Sequence, residues 1–119
     1  MTHFYTCDCM PVGASSGFNL YSPTLHRGLK KNEIHEIVKA FGHAVDFCRE
    51  CGFDCVEIHA GHGYLISQFL SPYTNRRKDE YGGSLENRMR FMKEVLDEVM
   101  EHAGDDMAVA FTIQINWAK

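Results

Sequence analysis

The chain has 119 residues, 45% of them hydrophobic and 24% charged, with a formal net charge of −4, the composition of one ordinary globular domain. The acidic balance argues against a nucleic-acid or anionic-membrane partner, because such partners need a basic footprint that releases counterions. No apolar run approaches the roughly 20 residues required to span a bilayer.

Residues 1–31 carry Pro11, Gly13, Ser15, Ser16, Gly17, Pro23 and Gly28 without a sustained period, which predicts an irregular lead-in. The N-terminus lacks a basic segment followed by an apolar core, so no secretory leader is read there and a cytoplasmic location is expected. Five cysteines, an odd number at no disulfide-scaffold spacing, fit free thiols in a reducing compartment.

From Asn32 onward Ile34, Ile37, Val38, Phe41, Ala44, Val45 and Cys48 recur at helical spacing, and Gly52 stands where a C-terminal cap is expected. A first helix over Asn32 to Cys51 follows, with Asn32 as the candidate N-cap. Phe53 to His59 is a short apolar run between Gly52 and Gly61, predicted to be a strand buried on both faces of a parallel sheet. Alternation puts Cys55, Glu57 and His59 on one face and Val56 and Ile58 on the other. Glu57 would need a partner if buried.

A loop rich in Pro, Asn and Gly runs from Ser71 to Ser84. A second helix then starts at Leu85 with Ser84 as its N-cap and stops at Gly104. Leu85, Met89, Met92, Leu96, Val99 and Ala103 share its apolar face, and Met89, Met92 and Met100 read as core filler. Met107 to Ile115 reads as a second strand. The order helix, strand, helix, strand implies parallel pairing and an α/β fold. Two strands and two helices cannot cover both faces of a parallel sheet. The expectation is a single partial (β/α)8 TIM-barrel domain over residues 1–119, with a homo-oligomer or a completing chain supplying the rest, since a whole barrel needs roughly 250 residues.

His59, His62 and Tyr64 fall within six positions directly after the first strand. In a barrel that places them at the C-terminal mouth, where such enzymes carry their active sites. Gly61 and Gly63 let the turn aim the side chains back at the mouth. Two neutral imidazoles can each donate an N–H to a substrate oxygen, stabilising negative charge that grows there as a nucleophile adds to a conjugated carbon. A phenol, un-ionised at neutral pH, can deliver the matching proton. The spacing suits hydride addition across an activated C=C bond.

The segment GFDCVEIHAGHGYLISQFLSPYTNRRKDEYGGSLENRMRF, Gly52 to Phe91, closely resembles the Old Yellow Enzyme family of FMN-dependent ene-reductases. The likeness extends upstream through Pro11-Val12-Gly13 and the first helix. It implies that His59 and His62 hydrogen-bond the activating oxygen of an enone or enoate substrate and that Tyr64 protonates the substrate carbon. NAD(P)H would reduce FMN, whose hydride goes to the other alkene carbon. Asn75, Arg77, Asp79, Tyr81, Gly82, Gly83, Asn87 and Arg88 match the family's loop and helix start and would shape the barrel rim. One departure stands out: Thr112 occupies the place of an arginine that contacts the flavin in relatives. The tail from Ile113 to Lys119 also departs from the family, and the strands that bind the flavin phosphate are absent.

Two other readings compete. The first is a non-catalytic, truncated or degenerate partial barrel that needs other chains to complete it. The second is a small zinc module built from Cys7, Cys9, Cys48, Cys51 and Cys55. However, the Cys48 and Cys51 pair lies at a helix end on an apolar stripe, which favours packing, and no metal is expected. Arg76, Arg77 and Lys78 read as a solvated rim.

Overall fold

The structure, a computed structural model, describes residues 10–19 and 24–114. Where an irregular lead-in was expected, three short strands form: β1 (Val12–Gly13), β2 (Gly17–Asn19) and β3 (Thr24–Gly28). β3 lies between β1, its parallel partner, and β2, its antiparallel one. Residues 1–9 and 20–23 of the lead-in lie outside the described residues, as do Cys7, Cys9 and the end of the second predicted strand from Ile115.

Helix α1 (Lys31–Glu50) starts one residue earlier than expected. Its N-cap is Lys30, whose backbone N–H donates to the Glu33 carboxylate at 2.7 Å, one half of a capping box. Asn32 therefore sits inside the first turn. At the other end Gly52, at φ 82°, donates to the Arg49 carbonyl while Phe53 donates to that of Cys48, closing the helix with a Schellman motif.

Strand β4 (Cys55–Ala60) is followed by a short helix α2 (Leu65–Leu70), then by α3 (Leu85–Ala103) and β5 (Ala108–Ile113). The six residues of α2 were not foreseen as helix. The Ser84 hydroxyl caps α3 by accepting from the Asn87 N–H at 3.2 Å, as expected. β4 and β5 pair in parallel, with Glu57 opposite Ala110 and His59 opposite Thr112. Both strands lead into or out of helices on one face of the sheet, giving the α/β fold of a partial (β/α)8 barrel.

The core lies between that face and the helices. Ile34, Val38 and Val45 of α1 meet Phe91, Val95, Val99 and Ala103 of α3, with Ile58 and Ala60 of β4 beneath them. Contrary to expectation, β4 is buried on one face only. Cys55, Glu57 and His59 are exposed, because the strands that would close over them in a whole barrel are not there to cover them. Leu85 and Met100, expected on the covered stripe of α3, are 56% and 51% exposed. Lys39 reaches Glu98 at 2.7 Å and His102 Nδ1 lies 2.8 Å from Asp46, tying α1 to α3 through charge at the rim of their contact. Among the described residues no helix is long and apolar enough to cross a membrane.

The loop between α2 and α3 is held by buried polar side chains. Asn75, 5% exposed, donates from Nδ2 to the carbonyls of Phe69 and Tyr81, each at 2.7 Å. Arg77, expected to be solvated, is instead a largely buried clamp, its side chain 9% exposed. Its Nη1 donates to the carbonyls of Ala14 at 2.9 Å and Leu29 at 2.7 Å, and it grips Asp79 through Nε and Nη2. Tyr81 packs edge-on against Phe69, and its hydroxyl donates to Glu94 at 2.9 Å. Burial, reinforced by that carboxylate, pushes the Tyr81 phenol well above its ordinary range. Only Arg76 and Lys78 of the basic run keep to the exposed rim.

Candidate active site

β4 delivers His59 at its C-terminal end, and the chain then turns sharply before α2. His62 takes a left-handed backbone conformation at φ 52° and Gly63 follows at φ 77°. That conformation is uncommon for a residue with a side chain and is concentrated at functional turns. At Gly61 the demand is for space: a Cβ there would lie 3.2 Å from His59 Cε1 and 3.1 Å from Gln114 Cβ.

Gln68, which sequence reasoning passed over, braces this turn. Its Nε2 donates to the Gly63 carbonyl at 2.8 Å while its Oε1 accepts from the Ala14 N–H at 3.3 Å. The signal for it was faint, a glutamine one turn into a helix too short to show a period. Ser67 adds a second brace by donating to the Tyr64 carbonyl at 3.2 Å.

The turn brings the three predicted residues together. His62 Nδ1 lies 2.9 Å from His59 Nε2, and the two rings are nearly parallel with centroids 5.0 Å apart. The Tyr64 ring meets His59 edge-on at 5.5 Å. Tyr64 is 64% exposed, so its phenol is presented outward rather than packed away. Two imidazoles and a phenol thus face solvent at one mouth, able to hold an oxygen and to carry a proton.

Thr112, across the ladder from His59, does not stand idle. Its hydroxyl donates to Glu57 Oε1, which supplies the partner for Glu57 that could not be named from the sequence. The face shared by these residues carries Cys55, Glu57 and His59 beside Ala108, Ala110 and Thr112. It therefore has one carboxylate and no cationic side chain. Cys48, Cys51 and Cys55 are free thiols, and among the described residues no three His, Cys, Asp or Glu side chains converge as metal ligands.

Comparison with known proteins identifies the family of the chain. The profile of the family described as NADH:flavin oxidoreductase / NADH oxidase matches residues 5–116. An NADPH dehydrogenase of Clostridium acetobutylicum is 62% identical over 73 residues, a match covering 61% of this chain and 22% of that protein. A cinnamate reductase of Clostridium sporogenes is 46% identical over 99 residues, covering 78% of this chain and 15% of its own length. The solved structure of the old yellow enzyme homologue from Zymomonas mobilis superposes with a TM-score of 0.76 at 35% identity, over 87% of this chain and 32% of that one. The chain thus spans about a fifth of the length of the curated relatives it matches. Family profile, sequence identity and superposed fold agree: this chain belongs to the NADH:flavin oxidoreductase / NADH oxidase family, of the Old Yellow Enzyme type, whose members use FMN with NAD(P)H as reductant.

Proposed function

We propose that residues 1–119 are a single partial-barrel domain forming the substrate-facing part of an oxidoreductase that reduces activated C=C bonds of α,β-unsaturated carbonyl compounds. The observation that carries this reading is the convergence of His59, His62 and Tyr64 on the turn after β4. The reductase of Clostridium sporogenes, named for cinnamate, lends support, because cinnamate is an alkene conjugated to a carboxylate. A cytoplasmic setting belongs to the same reading and accords with the free thiols.

In this reading an imidazole N–H holds the activating oxygen, drawing electron density from the conjugated double bond and stabilising the charge that develops on that oxygen. Tyr64, exposed beside His59, holds the proton destined for the substrate carbon. Gln68 and Gly63 fix the turn, so both groups meet the substrate already oriented.

Among the described residues, those on the β4–β5 face do not make a cradle for FMN. The face that would meet it carries the Glu57 carboxylate, and the Thr112 hydroxyl is spent on that carboxylate. An anionic ring edge and a phosphate call for cations or convergent backbone N–H groups. Those contacts would have to come from other strands of a complete barrel.

The test is Tyr64→Phe in a protein carrying the complete barrel. Alkene reduction should fall by roughly 10²-fold or more while reduction of the flavin by NAD(P)H is spared; unchanged alkene turnover would refute the proton-donor role.

A second reading, a non-catalytic partial barrel that needs other chains, is favoured by an open groove of about 380 Å³ lined by Phe41, Val45, Cys48, Phe53 and Val56. It sits where α1 overhangs the free edge of β4. Sedimentation and unfolding of the isolated chain test this reading: a monodisperse, cooperatively folding monomer would remove the need for a partner.

A further inference from the structure

We propose that Glu98, His102 and His43 form a clamp between α1 and α3 that binds a divalent cation of the zinc class, at a site separate from the mouth. The observation that carries it is a buried carboxylate oxygen. The Glu98 side chain is 7% exposed, and its Oε1 makes no hydrogen bond. A buried polar atom left in that state is costly and calls for a cause.

His102 stands one helical turn further along α3. Its Nε2 lies 3.3 Å from Glu98 Oε1, yet no hydrogen bond joins them. Ligands of a tetrahedral zinc ion, bonded at roughly 2.0–2.1 Å, lie about 3.3 Å apart and aim at the metal rather than at each other. The separation of these two atoms is that of one edge of such a tetrahedron.

The surroundings suit a metal in three respects. His102 Nδ1 lies 2.8 Å from Asp46 Oδ2, the carboxylate pairing that fixes a ligating imidazole and leaves its other nitrogen for the ion. Glu98 Oε2 accepts from Lys39 Nζ at 2.7 Å, so Oε1 is the oxygen left to bind, and Lys39, 65% exposed, can draw back into water as a second positive charge arrives. Gly42 faces both groups from α1. A Cβ there would lie 2.7 Å from His102 Nε2 and 2.9 Å from Glu98 Cγ, so glycine keeps the space beside them open.

Two ligands are thus in place, and His43 supplies the third. Its ring stands edge-on to that of His102 with centroids 6.2 Å apart. Imidazoles sharing a tetrahedral zinc have centroids roughly 5 Å apart, so His43, exposed at the rim, closes in by about 1 Å and water takes the fourth position. The clamp lies in the last turns of α3 and the C-terminal half of α1. Crossover helices run opposite to the strands they join, so this is the end of the domain away from His59 and His62. Its effect is on stability, because the ion cross-links two helices.

The experiment titrates zinc chloride into the full chain with its histidines labelled with ¹⁵N, and follows thermal melting at each ratio. Cobalt(II), used in parallel, reports the donor type: thiolate ligation gives a near-ultraviolet charge-transfer band that nitrogen and oxygen ligation does not. One zinc should bind per chain, shifting the ring resonances of His43 and His102 while those of His59 and His62 stay in place, and the melting midpoint should rise with zinc concentration. Asp46→Asn should weaken binding by about 10- to 100-fold, and His43→Ala and Glu98→Gln by at least about tenfold. Glu98 is buried, so the two variants at the rim carry the test if Glu98→Gln does not fold.

The absence of saturable zinc binding would overturn the proposal and leave His102 as an ion-pair partner of the two carboxylates. Zinc bound with the His43 and His102 resonances unmoved, thiolate charge transfer in the cobalt form, or an affinity unchanged by His43→Ala or by Asp46→Asn would overturn it as well.

Discussion

Thr112 lies directly across the β4–β5 ladder from His59, yet its hydroxyl donates to Glu57, on the neighbouring pair below. A carboxylate at the centre of this face is thus answered by a neutral donor from the adjacent strand. Both residues are exposed, so the bond competes with water. Thr112→Val should shift stability by less than about 1 kcal/mol, read as a small change in urea midpoint. A loss well beyond that would mean that Glu57 is more deeply committed to the fold than its exposure indicates.

Asn75 is the opposite case. Its amide satisfies two carbonyls from either side of the loop, those of Phe69 and Tyr81, in a place water does not reach. Asn75→Ala leaves both acceptors bare and should cost about 2 to 5 kcal/mol, a large part of the stability of so small a domain. Urea unfolding followed by circular dichroism measures this, and a midpoint close to that of the unaltered chain would contradict the clamp.

Gly82 and Gly52 make a matched pair of tests. A Cβ on Gly82 would lie 2.3 Å from the Arg77 carbonyl oxygen, whereas one on Gly52 meets nothing within 4 Å and suffers only from φ 82°. Gly52→Ala should cost about 1 kcal/mol, the strain of a left-handed alanine. Gly82→Ala should cost more than about 2 kcal/mol, because backbone must move. Thermal melts that rank the two in the reverse order would show that the loop yields easily.

Acid should weaken the fold in a defined window. The Arg27 guanidinium, helped by the Lys30 N–H, holds Glu33 down to about 2 from an ordinary 4.5. Arg77 lowers Asp79 in the same way, and Lys39 lowers Glu98. Each carboxylate holds its proton less tightly folded than unfolded. Its contribution is therefore complete above the unfolded value and is lost as pH falls through the folded one. The urea midpoint should hold steady above about pH 5 and decline toward about pH 2, and Arg27→Gln should flatten the lowest part of that decline. A midpoint indifferent to acid would show that these pairs carry no folding energy.

What the sequence disclosed was governed by how local each cause is. Gly52, Ser84 and Gly104 announced their helix ends because a cap is decided within a few residues. Lys30 did not, since its cap is a backbone N–H reaching a carboxylate three residues on rather than a recognisable capping side chain. Helix α2 is shorter than any window in which a period of 3.6 can be seen. The lead-in looked irregular because β1 and β3 recognise each other across a gap in the chain, not by their own pattern. At the site, the closeness of His59, His62 and Tyr64 was plain from their spacing. The bond linking the two imidazoles was not, because it depends on the left-handed turn at His62. Arg77 looked solvated because what buries it, Ala14 and Leu29, lies 63 and 48 residues earlier.

Those same separations bear on how the chain folds. A single guanidinium closes two long loops, one of 63 residues and one of 48, and such closures are disfavoured until the helices between them have docked. The clasp of Arg77 on Ala14 and Leu29 therefore belongs to the late events of folding. By the same reasoning, the contacts of Arg77 with Ala14 and Leu29 are among the first to break as the domain unfolds.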